Sequence, residues 1–374
     1  MPSSTSSSEW RLGPPAIDMP YDRPLPALRF GIASVVAAVV FLGSIAGWEI
    51  YWRAYGSTPS YQNSDGLWAM QRRRIDQGEG NTTVLSGASR ILFDADLDTW
   101  QRLSGERPIQ LALEGTSPLF LLEDLSNNPK FKGRLIVDVA PDLFFTGFEY
   151  RGKAQKYYRN ETLSQRAGQW LSMHFIEPFF AFYDPDFALF TVLKRQHWPG
   201  RAGVPPRTDV RKLAMHDADR NTRMWGKVEQ DRNYQHLAQE IWAEEFNMPP
   251  YKMMNLSGPE EFQRIVDKQI DRAAAAISKL RARGVKIIFV RPPSNGRYLE
   301  FENREFPRSK TWDVLIQRTG APGIHFEDYP QLQGYWLPEW SHLAAEEKSR
   351  FTEALYGILE HEYGWPSNST KKKD

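Results

Sequence analysis

Two short segments near opposite ends of this 374-residue chain carry the residue types of acyl-transfer chemistry. Gly87-Ala88-Ser89-Arg90 follows an apolar run and offers a hydroxyl. Glu339-Trp340-Ser341-His342-Leu343 offers an imidazole with a carboxylate three residues before it. A serine hydroxyl is a weak nucleophile. It needs a base within hydrogen-bond reach, a third group to orient that base, and donors for the developing oxyanion. Gly87 permits a tight turn, and Ser89 then falls at a helix N-terminus, where free N–H groups and the dipole favour negative charge. Glu339 can accept one imidazole N–H of His342, which leaves the other ring nitrogen for the serine. Gly115, in Leu113-Glu114-Gly115-Thr116-Ser117, can present a bare N–H as a second oxyanion donor alongside that of Ser89.

Each of these residues also has a plain structural reading. Ser89 suits a helix cap, and Ser341 suits an N-cap for the last helix. Gly115 suits a strand-to-helix turn. Ser86 is a rival hydroxyl, but it falls on the strand itself. Arg291 and Asn295, in Arg291-Pro292-Pro293-Ser294-Asn295-Gly296, are candidates to hold a substrate carboxylate, phosphate or sugar hydroxyl. The alternative there is a proline-stiffened loop with its arginine in an ion pair.

Five short apolar runs must position these groups: Thr83–Ser86, Ile109–Leu113, Arg134–Val139, Val285–Val290 and Ile324–Glu327. Near-continuous hydrophobicity marks strands covered on both faces. Helical stretches alternate with them at Asp96–Leu103, Ser117–Leu125, Glu260–Arg283 and Ala344–Leu359. This alternation predicts an α/β domain with a doubly wound, mainly parallel five-stranded sheet. Sites in such sheets form at the carboxyl ends of the strands, where both motifs fall. Residues 146–258 interrupt the pattern as a long helical insertion. Its first half is aromatic (Trp170, Phe175, Phe179, Phe180, Phe182, Tyr183, Phe187 and Phe190), and its second half is polar. It reads as a cap over the site, or as an element resting on a membrane or a membrane protein through residues 170–190.

The uncharged run Phe30–Trp48 is long enough to cross a bilayer, and Trp48, Tyr51 and Trp52 suit the interfacial belt. Basic residues Arg23 and Arg29 place the N-terminus in the cytoplasm and the larger part outside it. No small-residue cleavage site follows, so an uncleaved signal anchor over 29–52 is expected in place of a signal peptide. Residues 1–28 and 364–374 read as disordered tails, 53–80 as a stalk with one short helix, and 81–363 as the α/β domain. Lys+Arg 47 against Asp+Glu 46 gives no global field for nucleic acid. The absence of cysteine excludes thiolate catalysis and Cys-ligated zinc. Asp94, Asp96 and Asp98 alternate as in a calcium loop, but Thr99 and Gly105 stand where the turn glycine and bidentate glutamate belong. No metal or cofactor is expected.

The order of the motifs is informative: first strand with serine, second with glycine, last loop with acid-x-x-His before a C-terminal helix. This arrangement resembles the SGNH (GDSL-type) hydrolase superfamily, with its flavodoxin-like fold, across about Val84–Leu359 outside the insertion. Within it the chain is similar to the membrane-anchored extracytoplasmic branch, which includes alginate-type O-acetyltransferases and teichoic-acid D-alanyl-transfer proteins. The resemblance implies Ser89 as nucleophile, Gly115 as oxyanion glycine, and Glu339 with His342 as the last block. It further implies an acyl esterase or O-acyltransferase acting on an envelope or exported polysaccharide. Three positions depart from the family pattern. Ala88 replaces an acidic or polar residue, Glu339 replaces aspartate, and Val139-Ala140-Pro141-Asp142 lacks the third-block asparagine. The competing expectation is a non-catalytic, membrane-tethered subunit of a polymer modification or export complex.

Overall fold

The computed structural model of the chain describes residues 30–196 and 212–368. The chain divides into two compact units, Met1–Tyr51 and Trp52–Asp374. The described part of the first belongs to the helix Phe30–Ala54. Among the described residues this is the one helix long and apolar enough to cross a membrane, a property that anchors and signal sequences share. The tail expected over 1–28 lies outside the described residues.

The second unit is built on a five-stranded, all-parallel sheet. Its strands are β1 (Thr83–Ser86), β2 (Ile109–Gln110), β3 (Arg134–Asp138), β6 (Lys286–Arg291) and β7 (Gly323–His325). A separate antiparallel hairpin joins β4 (Ala214–His216) to β5 (Thr222–Met224). The parallel strands lie in the order β2-β1-β3-β6-β7. Residues 135–137 and 287–290 are all buried, as expected where helices cover both faces. The chain therefore leaves β1 in one direction to make β2 and in the other to make β3. In open parallel sheets such a reversal of strand order, here at β1 and β3, is the usual position for a ligand.

The helix Pro259–Ala282 shows how pattern becomes packing. Phe262, Val266, Ile270, Ala273, Ile277 and Leu280 recur at helical spacing and are buried against the core. Pro259 fits its first turn because no intrahelical N–H is needed there.

Several expectations need correction. Only Ile109–Gln110 of the second run is strand, although Leu111 and Leu113 still donate to Leu85 O (2.8 Å) and Gly87 O (3.0 Å). Residues 53–80 are not a stalk. Trp68 is fully buried and donates to Leu111 O at 2.9 Å, and Arg72 pairs with Asp124 at 2.7 Å. The last helix begins at Lys348, so Ser341 is not its N-cap. Trp365 is buried and Asn368 N donates to Leu103 O, so residues 364–368 are folded; 369–374 lie outside the described residues.

The insertion contains the hairpin β4–β5 as well as helices. Its turn carries Arg220, buried and at φ 68°. The Arg220 guanidinium donates to Gln110 O (2.8 Å), Ala112 O (2.7 Å) and Asn63 Oδ1. Burial, with no carboxylate bonded to it, pulls Arg220 down to about 9.

Candidate active site

β1 ends at Ser86, whose side chain is buried on the strand as anticipated. At Gly87 a Cβ would stand 2.7 Å from Asp138 Oδ2 and from Ile91 Cγ2, so only glycine fits without displacement. Asp138, at the end of neighbouring β3, accepts the backbone N–H of Ala88 at 2.9 Å and of Ile91 at 3.5 Å. A buried carboxylate from the next strand thus caps the helix Ser89–Asp94, a role usually filled from within the turn. Burial pushes the Asp138 carboxyl up to about 6, against the pull of Arg90 and the two backbone donors. Ser89 opens this helix and is half-buried. Its hydroxyl has no hydrogen-bond partner among the described residues. Asp138 was not foreseen; its only sequence signal was an acid inside an apolar strand.

His342 is 3% exposed and Glu339 is fully buried. His342 Nδ1 lies 2.8 Å from Glu339 Oε1, which also accepts the His342 backbone N–H at 2.8 Å. Glu339 Oε2 accepts Trp242 Nε1–H at 2.6 Å. Three donors therefore converge on one carboxylate, fixing its plane and the imidazole beside it. His342 Nε2 is buried and has no hydrogen-bond partner among the described residues. Trp242 lies in the insertion helix Arg232–Glu245, whose Gln235 and Gln239 both donate to Pro338 O at 2.8 Å. The insertion thus braces the histidine loop.

The helix opened by Ser89 is fastened to that loop at three successive residues. Phe93, one turn beyond Ser89, stacks on the His342 ring at 4.3 Å. Asp94 Oδ1 accepts Leu343 N–H at 3.1 Å, and Arg90 Nε donates to Ser341 Oγ at 3.4 Å. Burial raises the Asp94 carboxyl well above its ordinary range, and the nearby Asp138 and Glu339 charges add to this. The helix that Ser89 opens and the loop that carries His342 are therefore packed against each other.

Trp340, between the acid and the base, has φ 73°, a conformation that costs a residue other than glycine about 1 kcal/mol or more. Its carbonyl accepts Asn295 N–H at 3.0 Å, and its ring covers Gly296. Asn295 is half-buried, and its Oδ1 lacks a partner. Arg291 is not free for substrate. It is buried, pairs with Glu302 at 2.6 Å, and donates to Ser294 Oγ and Pro292 O. Arg90 takes the other Glu302 oxygen at 2.6 Å, giving a buried Arg–Glu–Arg cluster beneath the site. Gly115 adopts φ 59° just beyond β2, and its N–H has no acceptor among the described residues. Gly115 and Ser89 each lie two residues past a ladder-bonded pair, Leu113 N to Gly87 O, at the ends of adjacent strands. Among the described residues no cluster of His, Asp and Glu could hold a metal ion.

No family model matches this sequence, and a search of curated proteins returns no significant match.

Proposed function

We propose that the chain is a serine acyl esterase or O-acyltransferase of the SGNH type. The carrying observation is the buried Glu339–His342 pair with Nε2 unpartnered, locked onto the helix that Ser89 opens. The strand order β2-β1-β3-β6-β7, which is 2-1-3-4-5 among the parallel strands, supports a doubly wound, flavodoxin-like sheet.

Ser89 Oγ attacks an acyl carbonyl while His342 Nε2 takes its proton. The Ser89 and Gly115 N–H groups receive the oxyanion. Collapse of the tetrahedral species breaks the bond to the leaving alcohol, which receives the proton back from His342. An acceptor alcohol or water, deprotonated by His342, then attacks the acyl-serine and regenerates the hydroxyl. Glu339 holds the tautomer with Nδ1–H. Asn295, with an unpaired amide oxygen beside Trp340, faces the sugar hydroxyls of substrate. By resemblance the substrate is an envelope or exported polysaccharide. The helix Phe30–Ala54 anchors the chain in the membrane, with the catalytic domain on the extracytoplasmic side.

A fluorophosphonate probe tests this directly. Full-length protein is expected to label, and Ser89→Ala to abolish labelling. Equal labelling of the variant refutes the assignment. One departure favours a second reading, a non-catalytic subunit: β3 is followed by Val139-Ala140-Pro141-Asp142, without an asparagine donor. That reading expects no labelling and no ester hydrolysis sensitive to His342→Ala.

A further inference from the structure

The insertion segment 170–193 leaves large apolar side chains in solvent. Phe190 is 76% exposed, Phe175 60% and Phe179 58%, with Trp170, Leu171, Phe180, Leu189 and Leu193 also exposed. A soluble monomer seldom shows so much apolar surface in one stretch. The carboxylates of the same segment are each held by a partner within the domain. Glu177 is buried and accepts Gln62 N–H and Ser172 Oγ–H. Asp184 pairs with Lys212, and Asp186 with Arg195 at 3.0 Å. What remains outside is mostly aromatic and aliphatic, with His174 among the rings and Lys194 at the margin.

Chain continuity identifies what covers this surface. Trp52 is buried, stacked on Phe187 at 4.6 Å, and Arg53 donates to Phe179 O at 3.0 Å. Trp52 follows Trp48, the last residue of the apolar run, by four residues, which span at most about 14 Å in any conformation. The segment is therefore tied to the point where the chain leaves the apolar run. A protein partner would also cover apolar rings, but it gives no reason for every acid to be held by a partner from its own domain. A lipid interface does, because a bare carboxylate there is costly.

We infer that residues 170–193 form a shallow lipid-contacting surface, inserted into the interfacial layer of the leaflet through which the Phe30–Trp48 run emerges. The inference rests on reading that run as a membrane anchor. It is independent of the chemistry assigned to Ser89. The surface fixes the height of the domain above the bilayer, so that an acyl donor or polymer held at the membrane meets the site at a set distance.

The chain has no cysteine, so single substitutions carry a unique label. Full-length Phe179→Cys, Phe190→Cys, Val39→Cys and Lys286→Cys are bimane-labelled and reconstituted in phosphatidylcholine–phosphatidylglycerol vesicles. Quenching by nitroxide-bearing lipid is compared with quenching by aqueous iodide. Labels at 179 and 190 are expected to be quenched by nitroxide lipid about threefold or more above the label at 286, and shielded from iodide. Lipid quenching at 39 with iodide access at 179 and 190 overturns the surface while leaving the anchor intact. Shielding of 179 and 190 from both quenchers means a protein covers them and also overturns it. Iodide access at 39 refutes the anchor and the surface together.

Discussion

Glu339→Gln is the substitution that the site tolerates least relative to its size. The side chain keeps its shape and loses only its charge and one acceptor. Oε1 receives two N–H donors from His342, at 2.8 Å each, and Oε2 receives Trp242 Nε1–H at 2.6 Å. A glutamine must place its NH2 group at one of these positions. If the NH2 faces Trp242, donor meets donor. If it faces His342, it opposes the backbone N–H and forces the imidazole into the other tautomer, with Nε2 protonated and unable to act as base. Either way at least one buried donor is left unpaired, which costs about 1–3 kcal/mol. Stability of the full-length chain in detergent, measured by urea unfolding, should fall by about that amount. Fluorophosphonate labelling of Ser89 should slow by about 10²-fold or more, the scale of losing tautomer control in a serine relay. Unchanged stability refutes the convergence of three donors on this carboxylate. Lost stability with unchanged labelling refutes its catalytic role alone.

Two further expectations follow from the site's buried groups. Asp138 titrates at about 6 in the folded chain against an ordinary value of 3.8, so the folded state binds the extra proton between these values. Stability therefore declines as pH rises from about 4 to about 6, by about 3 kcal/mol from this residue. Asp138→Asn should remove that share of the decline in urea midpoints taken across the same range, and an unaltered pH dependence counts against it. Trp242→Phe keeps an aromatic ring but removes the pyrrole half of the indole and, with it, one charge-assisted bond. It should lower the rate of ester hydrolysis roughly tenfold with KM little changed, and an unchanged rate means the insertion does not brace the base.

The parts of the molecule legible in its sequence are those governed by local pattern. β3 and β6 announce themselves because Leu135–Val137 and Ile287–Val290 have no polar face, and the Pro259–Ala282 helix because its apolar residues keep one stripe. The Glu339–His342 contact was readable because a spacing of three can bring both groups together inside one turn. What escaped depends on distant partners. The 53–80 segment is polar enough to pass for a spacer, and Trp68 is inside because Phe120, Tyr158 and the carbonyl of Leu111, all distant in sequence, receive it. Trp242 has no local signature and Asp138 only that of an acid inside an apolar strand, since each acts on a segment far away in sequence. Of the two readings of Arg291 the ion pair holds, but its partner Glu302 could not be named from the sequence because it stands on the next helix.

The guanidinium of Arg220 occupies the outward carbonyls of Gln110 and Ala112, which a further β-strand would otherwise use. An open sheet margin is a template for aggregation. Copies confined to the plane of a membrane collide far more often than copies free in solution, and with fewer relative orientations. If Phe30–Ala54 serves as an anchor, a plugged margin matters more to this chain than to one dilute in solution. The hairpin that delivers Arg220 thereby withdraws both carbonyls from pairing with a further strand.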